Sequence, residues 1–220
     1  MTEFVLSIVV FLAAHSLPAA TGLRARGIAA LGRRRYMGLY SLLSLALLAW
    51  MVSAALRAPY VELWAPSAAL AAVPLVAMLP ACLLIASAVA RPNPLSVSFR
   101  GGPIDPTAPG ILALIRHPVL WAFFLWAGSH ALANGDLVGL LLFGGFALFS
   151  LAGMALFERR ARRRGELEAF KIRSGPLGQR IARAATLRVA LELLIGLALY
   201  TALLFAHGPV IGVDPLAYLR

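Results

Sequence analysis

Leu-Val-Gly-Leu-Leu-Leu-Phe-Gly-Gly-Phe-Ala-Leu-Phe-Ser-Leu-Ala-Gly-Met-Ala-Leu-Phe, residues 137–157, contains no charged side chain. A helix crosses the roughly 30 Å hydrocarbon core of a bilayer in about 20 residues, so this stretch predicts a membrane-spanning helix. Five further stretches of similar length and character occur elsewhere in the chain. Backbone amides in lipid must be paired within their own segment, and no alternating strand pattern is present, so we expect helices rather than barrel strands.

The whole chain is predicted to be an all-α integral membrane protein, with one domain over residues 1–220 and a bundle of six transmembrane helices. The composition agrees, because 61% of the residues are apolar, only 13% are charged and the mean hydropathy is +0.85. Such values exclude both a soluble globular domain and a disordered chain. The predicted helices cover about residues 4–23, 36–56, 66–90, 113–135, 137–157 and 189–208.

Arginine and lysine are distributed unevenly along this chain. Eighteen of the twenty lie in or directly beside the predicted loops 24–35, 91–112 and 158–188, whereas Arg57 and Arg220 lie on the other side. The positive-inside rule then predicts that these three loops are cytoplasmic and that both termini are periplasmic. The net charge of +11 is therefore mainly a topology signal. We predict a lipid bilayer as partner and no nucleic acid, since no basic module interleaved with aromatic residues is present.

Two histidines are predicted to lie at membrane depth, where ionisable groups indicate function because burying them costs several kcal/mol. His15 lies roughly 16 Å into the first predicted helix, and His130 lies about 9 Å from the outer end of the fourth. Each is either a hydrogen-bonding or interfacial side chain or an axial ligand of a metal or haem. Depth alone favours pairing His15 with His130 over pairing it with His117.

His117 opens the fourth predicted helix in the motif Arg116-His117-Pro118. The structural interpretation is a helix start with proline in an early position and Arg116 anchored to lipid headgroups. His117 and His130 are about 20 Å apart along the helix and about 220° apart around it, so they cannot share one ligand. His207 is predicted to be interfacial, and Glu192 is predicted to pair with Arg188 one turn earlier.

Motifs along nearly the whole chain resemble the NnrU family: Ala13-Ala14-His15-Ser16-Leu17-Pro18, the Gly32–Leu45 stretch, Ile115-Arg116-His117-Pro118, Ser129-His130-Ala131-Leu132-Ala133-Asn134-Gly135-Asp136 and the tail Ala206–Pro215. NnrU proteins are bacterial inner-membrane proteins linked to nitrite and nitric oxide reduction, and they are related to haem-dependent zeta-carotene isomerases. The resemblance implies a multi-pass inner-membrane protein that supports denitrification. It implies haem b held by His15 and His130, with Arg116 and His117 in a shared motif at the cofactor site.

Three alternatives stay open. A haem-dependent polyene isomerase is one, although Ala127 stands where the isomerases have a cysteine. The second is a membrane methyltransferase, because the Arg-His-Pro motif followed by a basic stretch with Glu166 and Glu168 resembles enzymes that hold S-adenosylmethionine with such segments. The third is a cofactor-free assembly protein for a reductase, in which the histidines are interhelical hydrogen bonders. The implied partner is a redox or reductase protein.

Overall fold

The structure, a computed structural model, describes residues 1–166 and 175–217, and all regular elements in these ranges are helical. The α-helices are α1 (Thr2–Ala20), α2 (Leu23–Leu31), α3 (Arg33–Arg57), α4 (Ala68–Val89), α5 (Pro118–Asn134), α6 (Leu137–Arg163), α7 (Leu177–Ala184) and α8 (Leu187–Ile211). A short 3-10 helix, Gly110–Ala113, precedes α5. The predicted all-α class is confirmed for the described part of the chain.

A helix lies in each of the six segments that were predicted to span the membrane. Among the described residues, α3, α4, α6 and α8 are long and apolar enough to cross a bilayer, and α1 with α2, bent by 73°, makes a fifth span if the two are counted together. Helix α5 has 17 residues. At about 26 Å it is shorter than the hydrocarbon core. Several membrane spans are therefore present, while the count of six and the periplasmic termini stay predictions.

The helix boundaries differ from the predicted ones chiefly at the predicted cytoplasmic loops. Helix α2 occupies most of the predicted loop 24–35, between Gly22 and Gly32, whose φ angles are +74° and +75°. Such angles are readily adopted by glycine, which explains the two breaks. The helix expected over 113–135 begins only at Pro118, which stands at the start of α5 as proline favours. Within the predicted loop 158–188, α6 continues to Arg163 and α7 is a further helix, while residues 167–174 lie outside the described part.

Contacts divide the chain into two compact units. The first comprises Met1–Glu62 with Asp136–Val138, and it contains α1, α2 and α3. Helices α1 and α3 pack together, and the start of α1 meets the end of α3. At this end Glu3 pairs with Arg57 at 2.6 Å and accepts a hydrogen bond from Nε1 of Trp50 at 3.2 Å. This is the antiparallel arrangement expected of consecutive crossings.

The second unit comprises Leu63–Gly135 and Gly139–Arg220. Helix α4 is its central element, since it packs against both α5 and α8. The buried cluster between α4 and α5 includes Ala81, Leu84 and Ala122. The small side chains of Ala81 and Ala122 let helix backbones approach closely in a membrane.

Large apolar side chains are exposed along the long helices, for example Leu42, Leu45, Leu148 and Ile195. A soluble monomer rarely exposes apolar surface so widely. Lipid tails cover such side chains in a bilayer, which agrees with the predicted lipid partner.

Candidate functional site

His15 lies on α1 and contacts α3. Its Nδ1 donates a hydrogen bond to the backbone oxygen of Phe11 at 2.7 Å. A carbonyl only accepts, so Nδ1 carries a proton, and in the neutral imidazole the lone pair is on Nε2. That Nε2 lies 3.2 Å from Oγ of Ser44, which therefore donates to it. His15 is thus an interhelical hydrogen bonder here, and the nitrogen engaged by Ser44 is the one that a metal would need.

Aromatic rings surround the His15 imidazole. The ring of Phe11 stacks on it with centroids 4.1 Å apart, and Tyr40 of α3 meets it edge-on at 5.7 Å. The side chain is only partly exposed. The imidazole is therefore held in one orientation by both its hydrogen bonds and its ring contacts.

His130 lies in the last turns of α5 and has the same tautomer as His15. Its Nδ1 donates to the backbone oxygen of Trp126 at 2.7 Å, which leaves the lone pair on Nε2. The ring centroid of Trp126 is 6.0 Å away, which agrees with the spacing of four residues on one helix face. Phe143 of α6 contributes a second aromatic ring at 5.3 Å.

His207 lies beside His130, although the sequence suggested only an interfacial residue. The two ring centroids are 6.4 Å apart and their planes differ by 27°. The Nδ1 of His207 donates to the backbone oxygen of Val213 at 2.8 Å, just beyond the end of α8. In its neutral form, each imidazole of this pair therefore has Nε2 as its acceptor atom.

The predicted haem ligands belong to different units. His15 lies in the first unit and His130 in the second, and their pairing on one haem stays a prediction. In the part of the chain that the structure describes, no group of three or more His, Cys, Asp or Glu side chains is placed to hold a metal ion. A porphyrin supplies four nitrogens of its own, so it needs at most two side chains.

Arg116 and His117 lie at the polar end of a cavity of about 530 Å³ in the second unit. Nη1 of Arg116 pairs with Oε1 of Glu158 on α6 at 2.7 Å, and Nε2 of His117 lies 3.6 Å from the same oxygen. Nδ1 of His117 lies 2.8 Å from Oγ of Ser96. Arg116, expected to anchor in lipid headgroups, instead forms an ion pair within the protein. The remaining walls are apolar: Pro80, Leu84, Leu114, Ile115, Trp121, Leu125 and Met154.

Side chains from other segments fix the backbone that leads into α5. Nδ2 of Asn93 donates to the carbonyl of Arg116 at 3.0 Å. Arg180 of α7 donates to the carbonyls of Ala113 and Leu114 at 2.8 and 3.0 Å. These carbonyls precede the helix, where backbone groups need partners from outside. The position of the Arg116–His117 pair is therefore set by the loop after α4 and by α7.

A buried ion cluster joins the loop after α4 to α8. Nη2 of Arg91, a buried side chain, lies 3.1 Å from Oε1 of Glu192, and Nη1 donates to the carbonyl of Ala108 at 2.6 Å. The predicted pair of Glu192 with Arg188 is confirmed at 3.2 Å. The partner that the sequence did not indicate is Arg91, 101 residues away.

The carboxylate next to Arg116 differs from the one suggested by the methyltransferase resemblance. Glu158 occupies that place, whereas Glu166 pairs with Arg164 at 3.8 Å on the surface and does not line the cavity. Glu168 lies outside the described residues. The cavity is therefore lined by the arginine and histidine of that motif, but its carboxylate is Glu158 of α6.

Comparison with known proteins gives a family match. The family model described as NnrU protein matches residues 3–215, which include all four histidines, Arg116 and Glu158. No curated protein and no solved structure matches the chain.

Proposed function

The chain belongs to the NnrU family, and on this premise we propose that it is a multi-pass protein of the bacterial inner membrane that binds haem b and supports nitrite or nitric oxide reduction. One observation carries the haem part of the proposal. His15 and His130 each hold Nδ1 on a carbonyl of their own helix, so each offers Nε2 as an electron-pair donor. The family resemblance supplies the identity of the cofactor and the link to denitrification.

The residues around these histidines fit a b-type haem. A hydrogen bond from Nδ1 to a carbonyl orients an imidazole and makes its other nitrogen a better ligand. The rings of Phe11 beside His15 and of Phe143 beside His130 supply apolar surface for a flat macrocycle. When bound, haem supplies one-electron redox chemistry. For His15 to ligate iron, its Nε2 must leave the hydroxyl of Ser44.

Haem content tests this proposal directly. Wild-type protein purified from cells with adequate haem supply is expected to show a Soret band and a b-type pyridine haemochrome. His130→Ala removes a ligand and is expected to lower the haem content several-fold or convert the spectrum from low spin to high spin. Absorbance of the purified proteins measures both effects.

The matched control is Asn134→Ala, which removes a hydrogen bond to the backbone of His130 but leaves the imidazole in place. Its spectrum is expected to equal that of wild type. A haem-replete preparation of wild type without a Soret band would contradict the proposal. Deletion of the gene and complementation with His130→Ala then test the physiological role, since a cofactor-free assembly protein should still restore nitrite and nitric oxide consumption.

The cavity at Arg116 favours a second candidate function, which we propose separately. Its apolar walls end in a guanidinium, an imidazole and a carboxylate, and its volume of about 530 Å³ lies in the range of small-molecule sites. This combination suits a ligand with a charged head, such as the S-adenosylmethionine of the methyltransferase alternative.

Calorimetric titration with S-adenosylmethionine tests this second candidate. If the cavity binds it, Arg116→Ala is expected to weaken binding at least tenfold, because the guanidinium lies at the polar end of the cavity. Glu166→Ala is the matched control and is expected to bind as wild type does, since Glu166 does not line the cavity. Wild-type protein that releases no heat with S-adenosylmethionine would exclude the methyltransferase alternative.

A further inference from the structure

Helix α7 carries apolar and polar side chains on opposite flanks. At about 100° per residue, Leu177 and Ile181 lie about 40° apart on one flank, whereas Gln179 lies about 160° from Ile181. A third side faces the protein, because Arg180 donates to two backbone carbonyls ahead of α5 and Ala184 is buried. The helix is therefore amphipathic across the surface on which it lies.

The apolar flank of α7 is not covered by the protein. Leu177 is 61% exposed and Ile181 is 50% exposed, whereas Ala184 on the inner side is only 5% exposed. Gln179 on the opposite flank is exposed as well. Large aliphatic side chains on one flank of a surface helix indicate a contact with lipid or with another protein.

The neighbouring helices place α7 at the level of the lipid headgroups. Helix α8 begins at Leu187, three residues after Ala184, and three residues span at most about 11 Å. The uncharged stretch of α6, residues 137–157, is about 31 Å long and so spans the hydrocarbon. The exposed Arg162 and Arg163 follow it, as expected where a helix emerges among phosphate groups.

The start of α8 favours lipid over a protein as the cover of this flank. Leu187, Leu191 and Leu194 are all exposed and lie at positions i, i+4 and i+7, so they share one face of α8. Helix α8 is a candidate membrane span, and lipid covers such a face. The apolar surface of α7 thus ends only a few residues before a lipid-facing surface begins.

We propose that α7 is an interfacial helix lying in the plane of the membrane surface, with Leu177 and Ile181 inserted between headgroups and acyl chains and Gln179 facing water. Its partner is the phospholipid leaflet on the side where α6 ends and α8 begins. Through Arg180 and the carbonyls that it binds, the leaflet then also holds the segment that leads into α5. The inference does not depend on haem or on the ligand of the cavity.

Spin labels on the full chain in phospholipid nanodiscs measure where the two flanks lie. The chain has one cysteine, the buried Cys82, so Cys82→Ala provides the background for Ile181→Cys and its matched control Gln179→Cys. Electron paramagnetic resonance power saturation compares collisions with oxygen, which concentrates in lipid, with collisions with a water-soluble nickel chelate. The ratio of oxygen to nickel collisions is expected to be several-fold higher for the label at Ile181 than for the label at Gln179.

Leu177→Cys, on the same flank as Ile181, is a second test position and is expected to give the same high ratio. Labels at both positions that meet the nickel chelate as freely as the label at Gln179 would overturn the proposal, because α7 would then lie in water. Labels shielded from oxygen and nickel alike would also overturn it, since a second copy of the chain or another protein would then cover this flank.

Discussion

Replacing Glu192 by alanine is expected to lower the free energy of unfolding by about 3–5 kcal/mol, because it leaves a buried positive charge without its partner. The Glu192 carboxylate lies 3.1 Å from Nη2 of Arg91 and 3.2 Å from Nε of Arg188. Arg188 is largely exposed and can turn to water, but the Arg91 side chain is only 6% exposed. After the substitution, the carbonyl of Ala108 still accepts from Arg91, but it carries no charge.

Denaturant titration of the purified protein in micelles, followed by tryptophan fluorescence, measures this loss. The matched control is Glu166→Ala, which breaks a surface pair with Arg164 and should change stability by less than about 1 kcal/mol. The double variant Arg91→Met/Glu192→Leu removes both charges and is expected to recover most of the stability. Equal stability of Glu192→Ala and Glu166→Ala would show that the cluster does not hold the loop to α8.

The same substitution is expected to disturb the cavity as well. Arg91 begins the loop whose Asn93 holds the carbonyl of Arg116 and whose Ser96 lies next to Nδ1 of His117. Without the Arg91–Glu192 ion pair this loop is less fixed. The contacts of Asn93 with Arg116 and of Ser96 with His117 are therefore weakened. A stability defect and a ligand-binding defect in Glu192→Ala thus have one physical origin.

The sequence predicts the long helices well because their length and lack of charge follow directly from the thickness of the bilayer. It predicts the start of α5 five residues too early, at 113, although Pro118, which is favoured in the first turn and disfavoured later, marks where the helix begins. It does not predict α2, because the high arginine content of residues 24–35 favours a cytoplasmic loop there. Gly22 and Gly32, which flank α2 with positive φ, were the signal that marked its ends.

Contacts within one helix could be predicted, and contacts between distant segments could not. The pairs Trp126–His130 and Arg188–Glu192 follow from the spacing of four residues on a helix. The pair Arg116–Glu158 joins segments 42 residues apart, and its formation depends on how α5 and α6 pack. The position of His207 beside His130 likewise depends on helix packing, which periodicity along one chain does not specify.

Replacing Gly196 by leucine is expected to force α8 away from α4 and to lower the free energy of unfolding by about 3 kcal/mol or more, while Gly196→Ala should cost about 1–3 kcal/mol. A Cβ at this position would lie 2.8 Å from Cα of Leu83 and 3.0 Å from the carbonyl oxygen of Cys82. Both atoms belong to the backbone of α4, so they cannot rotate away. Close packing of small residues is a main source of helix association in lipid, and Gly196 provides it here.

Gly145→Ala on α6 is the matched control, and it is expected to raise the free energy of unfolding rather than lower it. No atom outside its local helix surroundings lies within 4 Å of a Cβ built there, so alanine should stabilise the helix by about 0.5–1 kcal/mol. The same denaturant titration measures both variants. Wild-type stability in Gly196→Leu would contradict the close approach of α8 to α4.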